Sequence, residues 1–253
     1  MKSPVWILFK AEFKRRWGLI PIIGIFVIGA MAAISFILMS IIPRGPIDIV
    51  KSLQFLLFVF SVPLIVIFFG TDLIAADIYD GWLRSILLQP VKRHHYLSAR
   101  LFSSLGFTAV GITIAVLSVL ATIPFQHKLY APFDTEEFVV VCIGALGQAY
   151  VYLSILATLS CWLKGFMNVA VLVGWWIGGG LLYQYVSSKY WDSAVLTIAK
   201  EFIFPSGFVD AVSAFSVDYF PVSEFLWGIA NATGWLAVAY WSMNKIQIDR
   251  SFE

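Results

Sequence analysis

The chain has 253 residues, of which 60% are hydrophobic and only 13% charged, and its formal net charge is +2. A water-soluble domain carries about 25% charged residues, so this composition excludes a soluble enzyme and gives no reason to expect a nucleic-acid partner. The mean hydropathy of +0.87 agrees, and apolar runs near the roughly 20 residues that cross a hydrocarbon core predict an all-α, polytopic bundle rather than barrel strands.

The first predicted element covers residues 4–17. Trp6, Phe9, Phe13 and Trp17 recur at helical spacing, Lys10 and Lys14 fall on another face, and Lys14, Arg15 and Arg16 close the segment. That pattern predicts an interfacial helix lying flat on an anionic membrane surface. Six spans follow, at about Leu19–Ile42, Leu53–Ala76, Leu97–Ile123, Phe138–Leu163, Phe166–Val186 and Val222–Met243. The first apolar run is followed by Pro43-Arg44-Gly45-Pro46 rather than by a small-residue cleavage site, so no cleavable signal peptide is expected. Between spans 5 and 6, two shorter apolar stretches flank Pro205-Ser206-Gly207. They are too short to span, and they predict a helical hairpin over 190–219 that dips in from the outer face. No repeat and no soluble domain interrupts the pattern, so residues 1–253 read as one membrane domain.

Lysine and arginine placement sets the orientation. With the N-terminus inside, the cytoplasmic side holds Lys2, Lys10, Lys14, Arg15, Arg16, Arg84, Lys92, Arg93, Arg100, Lys164, Lys245 and Arg250, and the other side holds Arg44, Lys51, Lys128, Lys189 and Lys200. The excess predicts both termini inside and a multi-pass protein of the plasma membrane. The acidic group Asp134, Glu136 and Glu137 falls outside.

Several kinds of chemistry are missing. There is no Gly-x-x-x-x-Gly-Lys-Ser/Thr, so the chain has no P-loop of its own. Gly178-Gly179-Gly180 lacks a following lysine, and Gly174 and Gly178 at small-xxx-small spacing read as a close helix contact. His94 and His95 are adjacent, point to different sides of a helix and have no third ligand near them, so no metal is expected. Asn231-Ala232-Thr233 matches a glycosylation pattern but lies inside a predicted span. Cys142 and Cys161 sit far apart on one predicted helix, which excludes a mutual disulfide and leaves two small core residues. Asp72, near the cytoplasmic end of span 2, is a functional candidate or a structural partner of Lys164 or Arg100. Gln54, Gln148 and Gln184 either line a pathway or bond across helices. So few buried charges argue against an ion-coupled carrier.

The most informative stretch is 76–93, between spans 2 and 3. On a helix from Asp77, the residues Ile78, Tyr79, Trp82, Leu83 and Ile86 make one broad apolar face. Asp77, Asp80 and Arg84 gather on the other, with Asp80 and Arg84 at i, i+4. Pro90 ends the helix, and Lys92 to His95 return the chain to the headgroups. A short amphipathic segment bearing Trp and Tyr beside a membrane suits a protein interface.

The order Asp77, Gly81, Leu83, Leu87-Leu88, Pro90, Arg93, with Arg100 entering the next span, resembles the coupling region of the permease subunit of ABC-2 (type V) ATP-binding-cassette exporters. Asp77 stands where an acid, usually Glu, is found, and Trp82 stands where Thr is usual. Phe204-Pro205 at the turn of the outer hairpin is also similar to that family. The resemblance implies an N-terminal interfacial helix, six spans, a coupling helix over 77–89 and an outer hairpin. It also implies two copies of a cytoplasmic ATPase subunit that binds ATP and Mg, and a second permease subunit, the same or different. On it, Asp77, Tyr79, Asp80, Trp82, Leu83, Arg84, Ile86 and Leu87 would dock the ATPase. No cofactor and no catalytic residue is then expected in this chain, and an apolar or amphipathic cargo (drug, peptide or lipid) suits its aromatic content. A membrane-anchored scaffold without transport is the alternative. A membrane enzyme would need a polar catalytic cluster at one depth, and the sequence offers none.

Overall fold

In the computed structural model the described residues are 4–16, 18–41, 47–71, 73–80, 83, 92–125, 130–131, 133–175, 177–178, 206–215 and 219–245. Helices make up nearly all of them. They are α1 (Pro4–Arg16), α2 (Leu19–Ile41), α3 (Ile49–Leu56), α4 (Val62–Gly70), α5 (Ala75–Tyr79), α6 (Arg93–Thr122), α7 (Thr135–Ser160), α8 (Gly207–Ala214) and α9 (Val222–Lys245), with helical residues 167–175 between α7 and α8. Four stretches are long and apolar enough to cross a membrane, namely Pro21–Ile41, Ile49–Tyr79, Arg93–Phe125 and Thr135–Ser160. The helix expected as the sixth span, α9, has the length at 24 residues but is less apolar than these four.

Local chemistry sets several helix ends. Asp48 precedes α3 and accepts a hydrogen bond from the Lys51 amide at 3.0 Å. Asp134 precedes α7 and accepts from the amides of Glu136 and Glu137 at 2.9 and 3.2 Å. Both are side-chain caps that satisfy orphan donors in the first turn. Between α3 and α4 the chain widens into a π-helical turn, Leu57–Ser61. Pro63 follows at the start of α4. Proline has no amide proton and its ring crowds the carbonyl four residues back, so a local widening absorbs it without ending the helix.

The bundle has two ends. The proximal end holds α1, the starts of α2 and α6, and the ends of α5, α7 and α9. The distal end holds the starts of α3, α7 and α9, with α8 laid across them. Because α7 finishes proximally and α8 lies distally, the chain changes ends between Ser160 and Gly207. A parallel bridge between Ile47 and Tyr130 joins two distal loops. The core gathers around α3, α4, α6 and α7, where Leu53, Ile65, Leu97, Leu153 and Leu156 are fully buried. On α2, by contrast, Ile23, Phe26, Val27, Met31, Ile34 and Leu38 are exposed along one side of the helix. Water opposes such a stripe and hydrocarbon does not.

Glycines allow the closest helix approaches. A Cβ at Gly207 would lie 2.6 Å from the Gly228 backbone nitrogen, so α8 and α9 meet backbone to backbone. Phe208 then fills the space left by Gly147 on α7 and Gly228 on α9. This docks α8, a described part of the expected 190–219 hairpin, against α7 and α9; residues 190–205 and 216–218 lie outside the described residues.

Candidate functional site

The proximal end contains a buried charged joint. Asp77 lies on α5 and is 5% exposed, while Arg100 lies inside α6 and is 2% exposed. The Arg100 guanidinium pairs with Asp77, and its Nη1 donates to Glu12 Oε2 of α1 at 2.7 Å. Its Nε donates to the Tyr96 hydroxyl at 3.0 Å, and that hydroxyl donates in turn to Asp77. Tyr96 and Arg100 stand one turn apart on α6, at the i, i+4 spacing that lets side chains meet. A planar guanidinium with several fixed donors is suited to such a junction. One side chain therefore ties together the surface helix α1, the short helix α5 and the membrane-length helix α6. Burying these charges is tolerable only because each is paired and hydrogen-bonded.

Beside the joint runs a ladder of rings. Trp6 stacks on Phe9 with centroids 5.2 Å apart, and Phe9 on Phe13 at 5.7 Å. Phe13 stacks on Phe107 of α6 at 4.5 Å, and Phe107 on Phe69 of α4 at 5.2 Å. Gly106 makes room, since a Cβ there would come within 3.3 Å of the Phe13 ring. The ladder starts at the surface, where Trp6 is 55% exposed, and ends in the core. Thus α1 presents Lys10 and Lys14 outward and turns Glu12 and Phe13 inward.

On the exposed side of α5, Tyr79 is half exposed and Asp80 is exposed. The Tyr79 hydroxyl donates to the Trp162 carbonyl at 3.3 Å, just past the end of α7. Trp162 donates from its indole to Ser242 Oγ of α9 at 3.1 Å. Arg93, at the start of α6, donates to the carbonyls of Met243 and Asn244 at 2.9 and 3.3 Å, where the last turn of α9 has orphan acceptors. Asn168 donates to Ser160 Oγ at 2.9 Å and to the Thr71 carbonyl. These bonds bring the ends of α4, α5, α7 and α9 together at one level.

The residues singled out for docking divide. Tyr79 and Asp80 face outward, whereas Asp77 and Leu83 are buried within the chain, Leu83 at 4% exposure. Trp82, Arg84, Ile86 and Leu87 lie outside the described residues, as do Trp17, Asp72 and Gln184 and the side chains of Arg15 and Arg16. Gln54 bonds across helices, donating to Ser213 of α8 at 3.0 Å, and Gln148 is buried on α7 at 1% exposure. Arg100 takes its carboxylates from Asp77 and Glu12, and Lys164 sits over the Tyr79 ring. Gly174 and Gly178 are both exposed, and among the described residues no atom would lie within 4 Å of a Cβ at either. Small-residue spacing permits a close approach but does not supply the neighbour. Cys142 is half-buried and Cys161 buried, both as free thiols. Among the described residues no three His, Cys, Asp or Glu side chains come together as a metal site would require.

Sequence reasoning missed Glu12. Its helix was read through its rings and lysines, and the one signal was a lone acid beside Phe13, inside a basic segment. No protein-family model matches the chain, and no curated protein matches it.

Proposed function

We propose that this chain is the membrane subunit of an ATP-binding-cassette exporter of the ABC-2 class, with six spans and both termini in the cytoplasm of a plasma-membrane protein. On this reading the proximal end faces the cytoplasm, and the stretch from Asp77 to about Gln89 docks a separate ATPase that binds ATP and Mg. Two permease subunits, alike or different, and two ATPases form the working unit, and the cargo is apolar or amphipathic. The observation that carries the reading is the joint at Arg100. The segment between two membrane-length helices leaves α5 at a point where Asp77 is bonded to α6 and, through Arg100, to α1. A segment rooted in that way would pass a push or pull to two helices at once, which is what a coupling element must do. Tyr79 and Asp80 stay exposed, and a sequence without a P-loop is in keeping with ATP hydrolysis by a partner.

Co-purification with an ATP-hydrolysing subunit, followed by ATP-driven efflux of a hydrophobic dye from proteoliposomes, tests the proposal. The expected result is efflux that falls at least about tenfold, with loss of the ATPase, in Tyr79→Ala combined with Trp82→Ala, since aromatic interface anchors carry roughly 2 kcal/mol or more each. A stable complex that hydrolyses ATP and moves no dye or lipid would favour a scaffold. An ATPase retained in full by the double variant would overturn the docking assignment.

A further inference from the structure

A second feature of the proximal end borders Tyr79 and Asp80 and can be tested without the ATPase. Lys164 Nζ lies 5.4 Å from the centroid of the Tyr79 ring, and Lys245 Nζ lies 5.7 Å from that of Trp241. Neither lysine meets a carboxylate among the described residues. Trp162 links their surroundings: its indole donates to Ser242, next to Trp241, and its carbonyl receives the Tyr79 hydroxyl. Trp162 and Trp241 are each 57% exposed. Arg93 adds a further positive charge where it donates to the Met243 and Asn244 carbonyls. Asp80, exposed beside Tyr79, is the described acid bordering this face.

We infer that this rim, built from the 162–164 turn and the last turn of α9, is a binding site for one anionic phospholipid. The phosphate sits between Lys164 and Lys245, and an acyl chain runs along α9 past Trp241 and Val238, which is 42% exposed and one turn back on the same face. Three arguments converge. The site lies where the long helices end, which is headgroup depth, and Trp and Tyr side chains gather at that depth because they have one apolar and one polar side. A lysine held over a ring still has three N–H donors to offer a phosphate. Basic pockets between helix ends favour anionic headgroups. Zwitterionic lipid offers the same phosphate with a cation attached, so it is discriminated against by the same two ammoniums.

The test uses the full chain in detergent with phosphatidylglycerol or phosphatidylcholine added, read by native mass spectrometry. Phosphatidylglycerol should be retained selectively, and Lys164→Gln with Lys245→Gln should weaken its apparent affinity roughly 25-fold, given about a fivefold contribution per lysine near an anionic surface. The α1 variant Lys10→Gln with Lys14→Gln should retain it. A second readout uses brominated phosphatidylglycerol, which should quench tryptophan fluorescence more than brominated phosphatidylcholine, with the excess lost in Trp162→Phe with Trp241→Phe. Equal retention of both lipids, unchanged affinity in the lysine variant, or complete displacement by inorganic phosphate would each overturn the assignment.

Discussion

Arg100 is the side chain on which the most rests. Its guanidinium neutralises carboxylates from two other helices in a buried setting, so removing it leaves charge stranded rather than deleting a pair. Arg100→Met is expected to destabilise the protein by about 3–5 kcal/mol, measured by denaturant unfolding in detergent. Arg100→Lys should recover only part of this, because an ammonium cannot reach Glu12, Asp77 and Tyr96 at once with a flat fork. Glycines give a matched pair at the same scale. Gly207→Ala forces a Cβ to within 2.6 Å of the Gly228 nitrogen, and a cost of roughly 1–3 kcal/mol is expected from the overpacking. Gly174→Ala meets no described atom within 4 Å and should be neutral or stabilising by up to about 1 kcal/mol, since alanine is the better helix former. Equal melting shifts in the two variants would contradict the packing described for α8. The lone acid at Glu12 shows why some of this was illegible in the sequence: its partner is 88 positions away, and no local pattern encodes that pairing.

Among the elements, α1 is the one whose reading changed most. Its composition predicts a helix lying on a membrane surface, and the outward Trp6, Lys10 and Lys14 fit that placement. The ring ladder and the Glu12–Arg100 pair add a second attachment, to α6. Phe13→Ala should therefore cost about 2 kcal/mol in area and stacking and raise amide hydrogen exchange in α1 ahead of exchange in α6. Uniform exchange across both helices would mean that α1 has no separate opening. The span over Ile49–Tyr79 was legible as an apolar run, but the π turn before Pro63 was not, because propensity registers a proline without saying how the helix absorbs it. The weaker apolarity of α9 comes from Asn231, Thr233 and its tryptophans; Asn231 is nonetheless buried on the side that α7 and α8 cover.

For the whole molecule, the ends of the bundle carry the functional argument. Lysine and arginine counts predict that the proximal end faces inward, and that expectation has a direct check. With Cys142 and Cys161 replaced by serine, Asp134→Cys should react with an impermeant maleimide on intact cells, and Asp80→Cys only after permeabilisation; the reverse pattern would invert the topology and remove Tyr79 from the reach of a cytoplasmic partner. Length and apolarity alone determined that this chain makes membrane-length helices, because a hydrocarbon core demands about 20 apolar residues whatever their neighbours are. The tertiary structure alone decided that Asp77 faces inward to Arg100 while Tyr79 faces out, and that Glu12 joins them. Which faces meet depends on the rotation and depth of helices distant in sequence, and those are fixed by packing at Gly106, Gly207 and Gly228 and by the cost of burying an unpaired charge.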